Sequence, residues 1–133
     1  MKKPIKGQKK QSYSWKQFDK DVDRIAKWVK KLPKKPTCIV AVPNGGLCLG
    51  TRLHYKLGIP LHPTIKCYPE DVVLLCDDIC DSGDTMIGVL NQLLGLCEGI
   101  SIVALFLNIE HIKYKPDFHV RETKNWIVFP WEV

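Results

Sequence analysis

At 133 residues the chain amounts to one domain, long enough to bury roughly two-thirds of the surface its unfolded form exposes. The net charge of +6 looks like a nucleic-acid signal, but Met1–Lys10 holds five lysines and no acid, leaving fifteen basic against fourteen acidic side chains in the rest. A near-neutral body excludes a broad basic surface, so nucleic acid is not the expected partner. The charge sits instead in a short tail, read as residues 1–12, mobile and solvated, ahead of a single domain over 13–133.

The elements follow in chain order. Ser14-Trp15-Lys16-Gln17 has the form of a capping box, with Ser14 as N-cap. Trp15, Phe18, Val22, Ile25, Ala26, Val29 and Leu32 then recur at helical spacing, and Pro33 and Pro36 bracket the exit. Thr37–Val42 is a short β-branched strand, Pro43-Asn44-Gly45-Gly46 a turn, and Leu47–Leu57 a helix stopped by Gly58. Leu61–Lys66 reads as a second strand, Val72–Cys76 as a third, Thr85–Leu96 as a helix and Ile100–Leu107 as a further strand. Beyond Glu110 the pattern is irregular, with short strands expected near residues 118–120 and 127–129. This alternation predicts an α/β fold: a mostly parallel, twisted sheet of about five strands with helices on both faces and a short C-terminal tail.

No secretory signal and no apolar run of membrane length is present, and the cysteines at 38, 48, 67, 76, 80 and 97 show no CxxC spacing. A reducing, cytoplasmic setting is therefore expected, and the spacing argues against zinc. The histidines at 54, 62, 111 and 119 form no recognisable pair and read as structural or exposed.

The richest segment is Leu75–Thr85, LCDDICDSGDT. A buried strand would deliver Asp77 and Asp78 to its carboxyl end, where open α/β sheets bind ligands. The small-residue turn Asp81-Ser82-Gly83-Asp84-Thr85 would then open a helix whose first N–H groups suit a phosphate. One ligand satisfies both halves: a phosphorylated sugar with free hydroxyls. GGLCLG lacks the GxGxxG spacing and no GK[ST] occurs, so neither a dinucleotide fingerprint nor a Walker loop is present.

CDDICDSGDT resembles the phosphoribosyl-pyrophosphate (PRPP) motif of the type I phosphoribosyltransferases: a hydrophobic strand, two acids, two apolar residues, then D-[ST]-G-x-T. The resemblance is strongest to the xanthine-guanine branch of the 6-oxopurine enzymes. It extends to Tyr13-Ser14-Trp15, to IVAVPNGGLCLGTRLHYKLGIP, and to the W-I-x-x-P-W-[DE] spacing from Trp126 to Glu132. It implies the type I fold with a base-binding tail, and transfer of ribose 5-phosphate from PRPP to a purine, with 6-oxopurines expected.

For the matched residues the resemblance implies definite roles. Asp77 and Asp78 would grip the ribose hydroxyls, with Asp78 facing a Mg²⁺ that neutralises pyrophosphate. Ser82, Gly83, Asp84 and Thr85 would hold the 5′-phosphate, and Asp81 would act as general base near N7 of the purine. Asn44, Gly45 and Gly46 would receive pyrophosphate, through a non-proline cis peptide. Trp126 would stack on the base, while the Ile127 backbone, Glu132 and Asn108 would hydrogen-bond its edge; Pro130 and Trp131 read as packing. A homo-oligomer, dimer or tetramer, is implied as well.

Three departures stand against this pattern. Only about Tyr68–Asp71 separates Cys67 from Val72, where the family inserts a mobile lid; Asn44 replaces the loop arginine; and Asn108 stands where the branch has a lysine. The alternative is a non-catalytic module that binds PRPP or a nucleotide and regulates.

Overall fold

The computed structural model describes residues 4–133. In chain order it contains β1 (Lys10–Ser12), α1 (Trp15–Lys30), β2 (Cys38–Ala41), α2 (Leu47–Leu57), β3 (Val72–Cys80), α3 (Asp84–Leu93), β4 (Gly99–Asn108), β5 (Phe118–Thr123), β6 (Trp126–Val128) and a closing 3-10 turn (Pro130–Glu132). The main sheet runs β2-β3-β4-β5 with every pairing parallel, and β1 pairs with β6 in a second, two-stranded parallel sheet. The expected α/β class stands, with four strands plus two in place of about five.

Side-chain alternation along the central strands explains the layers. Ile39, Leu74, Cys76, Val103 and Leu105 pack with Phe18, Val22, Ile25 and Val29 of α1 and Leu49 and Leu53 of α2. Val40, Val73, Leu75 and Ala104 pack on the opposite face with Met86, Val89 and Leu93 of α3. The capping box forms as read: Gln17 N–H donates to Ser14 Oγ at 3.1 Å and Ser14 N–H to Gln17 Oε1 at 2.9 Å.

Leu61–Lys66 is not a strand. Only Leu61 bridges Ile39, flanked by Ile39 N–H to Pro60 C=O at 2.8 Å and His62 N–H to Ile39 C=O at 2.9 Å. Pro60, which faces β2, carries no N–H, so the ladder cannot propagate towards the amino end. That bridge still fixes the winding. β2 has the Leu61 segment on one edge and β3 on the other, so the chain reverses direction between β2 and β3. Ligand crevices form at such a reversal.

Residues 8–12, read as part of the tail, are docked on the domain. Trp126 N–H donates to Lys9 C=O at 2.8 Å, Gln8 Nε2 to Lys124 C=O at 3.3 Å, and β1 pairs with β6 in register Gln11 to Ile127. Lysine-rich composition hid an alternation that a partner strand could use. Among the described residues, no helix is long and apolar enough to cross a membrane.

Candidate functional site

β3 runs four residues further than its apolar core predicts, because β4 extends alongside it and pairs Asp77 with Ala104 and Ile79 with Phe106. Asp77 and Asp78 therefore sit within the strand, 8% and 9% exposed, and not in a solvated turn after it. Alternation sends Asp78 to the α2 face, in line with Leu74 and Cys76, and Asp77 to the α3 face. Asp77 Oδ1 accepts from Asp78 N–H at 2.8 Å, and Asp78 Oδ1 from Ile79 N–H at 2.7 Å. Among the described residues, neither acid has an ion-pair partner. Burial, then the neighbouring Asp78 charge, holds the Asp77 carboxyl well above the usual carboxylate range. Burial raises Asp78 too, against hydrogen bonds from Asp77 and Ile79 that work the other way.

The Asn44-Gly45-Gly46 loop lies against this pair. A Cβ on Gly45 would stand 2.4 Å from Asp78 Oδ2, so only glycine lets loop and carboxylate meet. The Pro43–Asn44 peptide is cis, as the resemblance implies. Gly46 N–H is already bound to Val42 C=O at 2.8 Å, so Gly46 contributes close approach and not a donor. Asn44 and Gly45 N–H have no acceptor among the described residues.

At the start of α3, Gly83 has φ of +93° and lies beneath Tyr114, whose carbonyl would be 2.5 Å from a Cβ. Both facts require glycine. Asp84 N–H donates to Ser82 Oγ at 3.1 Å, which tightens the turn, and the remaining first-turn amides lack intrahelical acceptors. The segment between β4 and β5 crosses the α3 face and braces this turn: Lys113 and Tyr114 N–H both donate to Ser82 C=O, at 2.8 and 3.2 Å.

The same crossing brings in a residue the sequence set aside. His111 Nδ1 lies 3.2 Å from Asp81 Oδ1, and Asn108 Nδ2 donates to that oxygen at 2.9 Å. Asn108, 4% exposed, thus orients Asp81 instead of offering its amide outward; its own Oδ1 accepts from Glu110 N–H at 3.0 Å. No local signal marks His111, because thirty residues of sequence separate it from Asp81. His111 also borders a cavity of about 350 Å³ ringed by Lys6, Lys9, Lys124 and Asn125.

In the tail, Trp126 is half-buried with no ring partner among the described residues, whereas Trp131 stacks on Phe129 at 4.9 Å and packs against Trp15 and Phe18. Trp126 and Val128 bond to β1, so the Ile127 N–H and C=O face away from it. Glu132 lies near enough to Asp78 to sense its charge; burial first, then Asp78, raises its carboxyl.

Solved structures share this fold. A purine phosphoribosyltransferase from Pyrococcus horikoshii Ot3 is 29% identical, with a TM-score of 0.83 over 92% of this chain and 93% of its own. A Helicobacter pylori xanthine-guanine-hypoxanthine phosphoribosyltransferase is 28% identical, with a TM-score of 0.81 over 93% and 94%. A hypothetical protein from Neisseria gonorrhoeae with bound ppGpp, 19% identical, shares the fold at a TM-score of 0.83 over 95% and 90%. No family model and no curated protein matches the chain. On motif, topology and these likenesses, the chain has the type I phosphoribosyltransferase fold, with purine phosphoribosyltransferases among its structural neighbours.

Proposed function

We propose that the protein transfers the 5-phosphoribosyl group from PRPP to a purine base, with guanine, xanthine or hypoxanthine as acceptor, and releases pyrophosphate. The observation that carries this reading is the contact of the Asp78 carboxylate with Gly45, beside a phosphate cradle at Gly83. On this reading the acid pair lies between two anion-receiving loops, as a sugar bearing phosphate at one end and pyrophosphate at the other requires.

The reaction breaks the C1′–O bond to pyrophosphate and forms C1′–N9. Ser82, Gly83, Asp84 and Thr85 hold the 5′-phosphate, and Asn44 and Gly45 N–H receive the departing pyrophosphate, with Gly46 allowing close approach. Asp77 and Asp78 accept from the ribose hydroxyls. Their oxygens, buried and without a basic partner among the described residues, are the hard donors Mg²⁺ takes, with Asp78 the residue that would hold it. When bound, the ion supplies neutralisation of the charge developing on pyrophosphate. Asp81, steadied by Asn108 and His111, accepts the imidazole proton, which makes N9 the better nucleophile. Trp126 offers a face to the base, and the Ile127 backbone and Glu132 its edge contacts. Lys6, Lys9 and Lys124, around the cavity that reaches His111, supply positive charge that Asn44 and Asn108 do not. Self-association belongs to the same proposal: Trp15, Leu47 and Tyr55 are exposed along one groove.

Incubating the protein with Mg²⁺, PRPP and each purine tests the reading. Nucleoside monophosphate and pyrophosphate should form in equal amounts, and Asp81→Asn should lower kcat about 10²- to 10⁴-fold. Saturable PRPP binding with no product from any base would replace the enzyme with the regulatory module. Such a module is favoured by the connection from His62 to Asp71, which is shorter than the long mobile lid the resemblance implies.

A further inference from the structure

The opposite end of the sheet carries a second constellation that catalysis does not use. Cys38 opens β2, while His62 and Asp71 open and close the connection from the Leu61 bridge to β3, so two separate stretches of chain converge at the amino ends of the strands. Cys38 Sγ, a His62 ring nitrogen and an Asp71 carboxylate oxygen all lie within 4.8 Å of one another. His62 Nε2 stands 3.2 Å from Asp71 Oδ2, and their side chains are 17% and 13% exposed, so the group is shielded yet reachable from solvent.

We propose that Cys38, His62 and Asp71 form a zinc site that staples the connection between the Leu61 bridge and β3 to the base of the sheet. Ligand chemistry selects the ion. A thiolate and an imidazole suit a borderline-soft metal, and neither suits Mg²⁺ or Ca²⁺, which the acid pair at the other end would take. Geometry agrees: Zn–N and Zn–O bonds of about 2.0–2.2 Å at a tetrahedral angle put the two donors about 3.4 Å apart, against the 3.2 Å between His62 and Asp71. Charge closes as well, because one thiolate, one carboxylate and a neutral imidazole balance Zn²⁺, which removes the cost of a net buried charge.

Without metal the thiol keeps its proton. Burial, followed by the Asp71 carboxylate to which it is hydrogen-bonded, pushes the Cys38 thiol up to about 12. Zinc binding forms the Zn–S bond and releases that proton to solvent. Asp71 also caps the turn through Tyr68 N–H at 2.8 Å and meets Thr37 Oγ1 at 3.2 Å, which preorganises its carboxylate. A cap of that kind needs neither the thiol nor the imidazole beside it. Sequence spacing argued against zinc because it looks for CxxC pairs. The donors come instead from the start of β2 and from the two ends of the connection that leads into β3. The neighbouring thiols Cys67 and Cys97 lie outside the three-ligand set.

Titrating the reduced protein with Co²⁺ tests the site apart from any transferase activity. Tetrahedral visible bands with a thiolate charge-transfer band should saturate at one ion per chain, and one equivalent of Zn²⁺ should erase them. His62→Gln, at a partly exposed side chain, should abolish the bands while circular dichroism stays unchanged, and Cys97→Ser should leave them intact. Zn²⁺ should raise the thermal midpoint of wild type and not that of His62→Gln. No cobalt spectrum in wild type, or a spectrum that survives His62→Gln, overturns the assignment. Failure of transferase activity with zinc binding intact would count against the catalytic reading alone.

Discussion

Two buried acidic centres of this molecule are furnished in opposite ways. Asp21 of α1 is 1% exposed and completely provided for: Tyr13 OH donates to it at 2.5 Å, and Arg121 of β5 reaches it with Nε at 2.7 Å and Nη2 at 3.2 Å. Asp77 and Asp78 are nearly as buried, yet receive neighbouring backbone amides and each other and, among the described residues, no cation. Burying a carboxylate is costly unless something compensates it. At Asp21 the chain supplies the compensation and gains a clamp joining α1, β5 and the residue after β1. At the acid pair the described residues supply no such compensation, and on the proposed reading a ligand takes that place, which is how a site would differ from a strut.

Breaking the strut should give the largest effect. Arg121→Ala leaves Asp21 without its cation, with only Tyr13 OH still donating to it, and should lower stability by about 3 kcal/mol, at the low end for a buried pair because the guanidinium is a third exposed. Urea unfolding reads the loss, and PRPP affinity per folded molecule should not change. Gly83→Ala should rank next. Left-handed backbone and the Tyr114 carbonyl at 2.5 Å together predict a cost of about 2 kcal/mol, with nucleoside monophosphate affinity falling alongside stability. A variant that kept full affinity would show that this turn is not the phosphate seat.

Local chemistry made one half of the molecule legible and topology decided the other. The Ser14 capping box and the DSGDT turn are written in contiguous residues, so both could be read and both formed as read. The acid pair was read as lying after a strand, and it lies inside one, because the length of β3 is set by its neighbour β4. Leu61–Lys66 has strand composition, but Pro60 and Pro63, on either side of Leu61-His62, accompany a single bridge. His111 and the Cys38–His62–Asp71 group were invisible for one reason: each depends on which loops a parallel sheet gathers at one end. Residues 8–12 show a converse effect, since a lysine-rich stretch became ordered only through a strand at the far end of the chain.

The smallest effect carries the opposite sign and sharpens the contrast most. Asp77→Asn keeps the oxygen that accepts from Asp78 N–H and removes a charge that burial disfavours, so the ligand-free variant should be about 1–2 kcal/mol more stable than wild type at pH 8. The folded-state carboxyl is raised above its unfolded value, so the folded protein binds more protons between the two values. Stability attached to this group is therefore full below the ordinary carboxylate range and falls as pH rises through the raised value. Subtracting wild type from Asp77→Asn cancels the titrating groups that do not interact with Asp77, and the difference should be smallest below the ordinary carboxylate range and grow as pH rises through the raised value. Adding Mg²⁺ with a nucleoside monophosphate should shrink or reverse it, because the ligand binds the folded wild type alone. A difference that stays flat across pH would mean that Asp77 is compensated from within, and the distinction between strut and site would not hold at this residue.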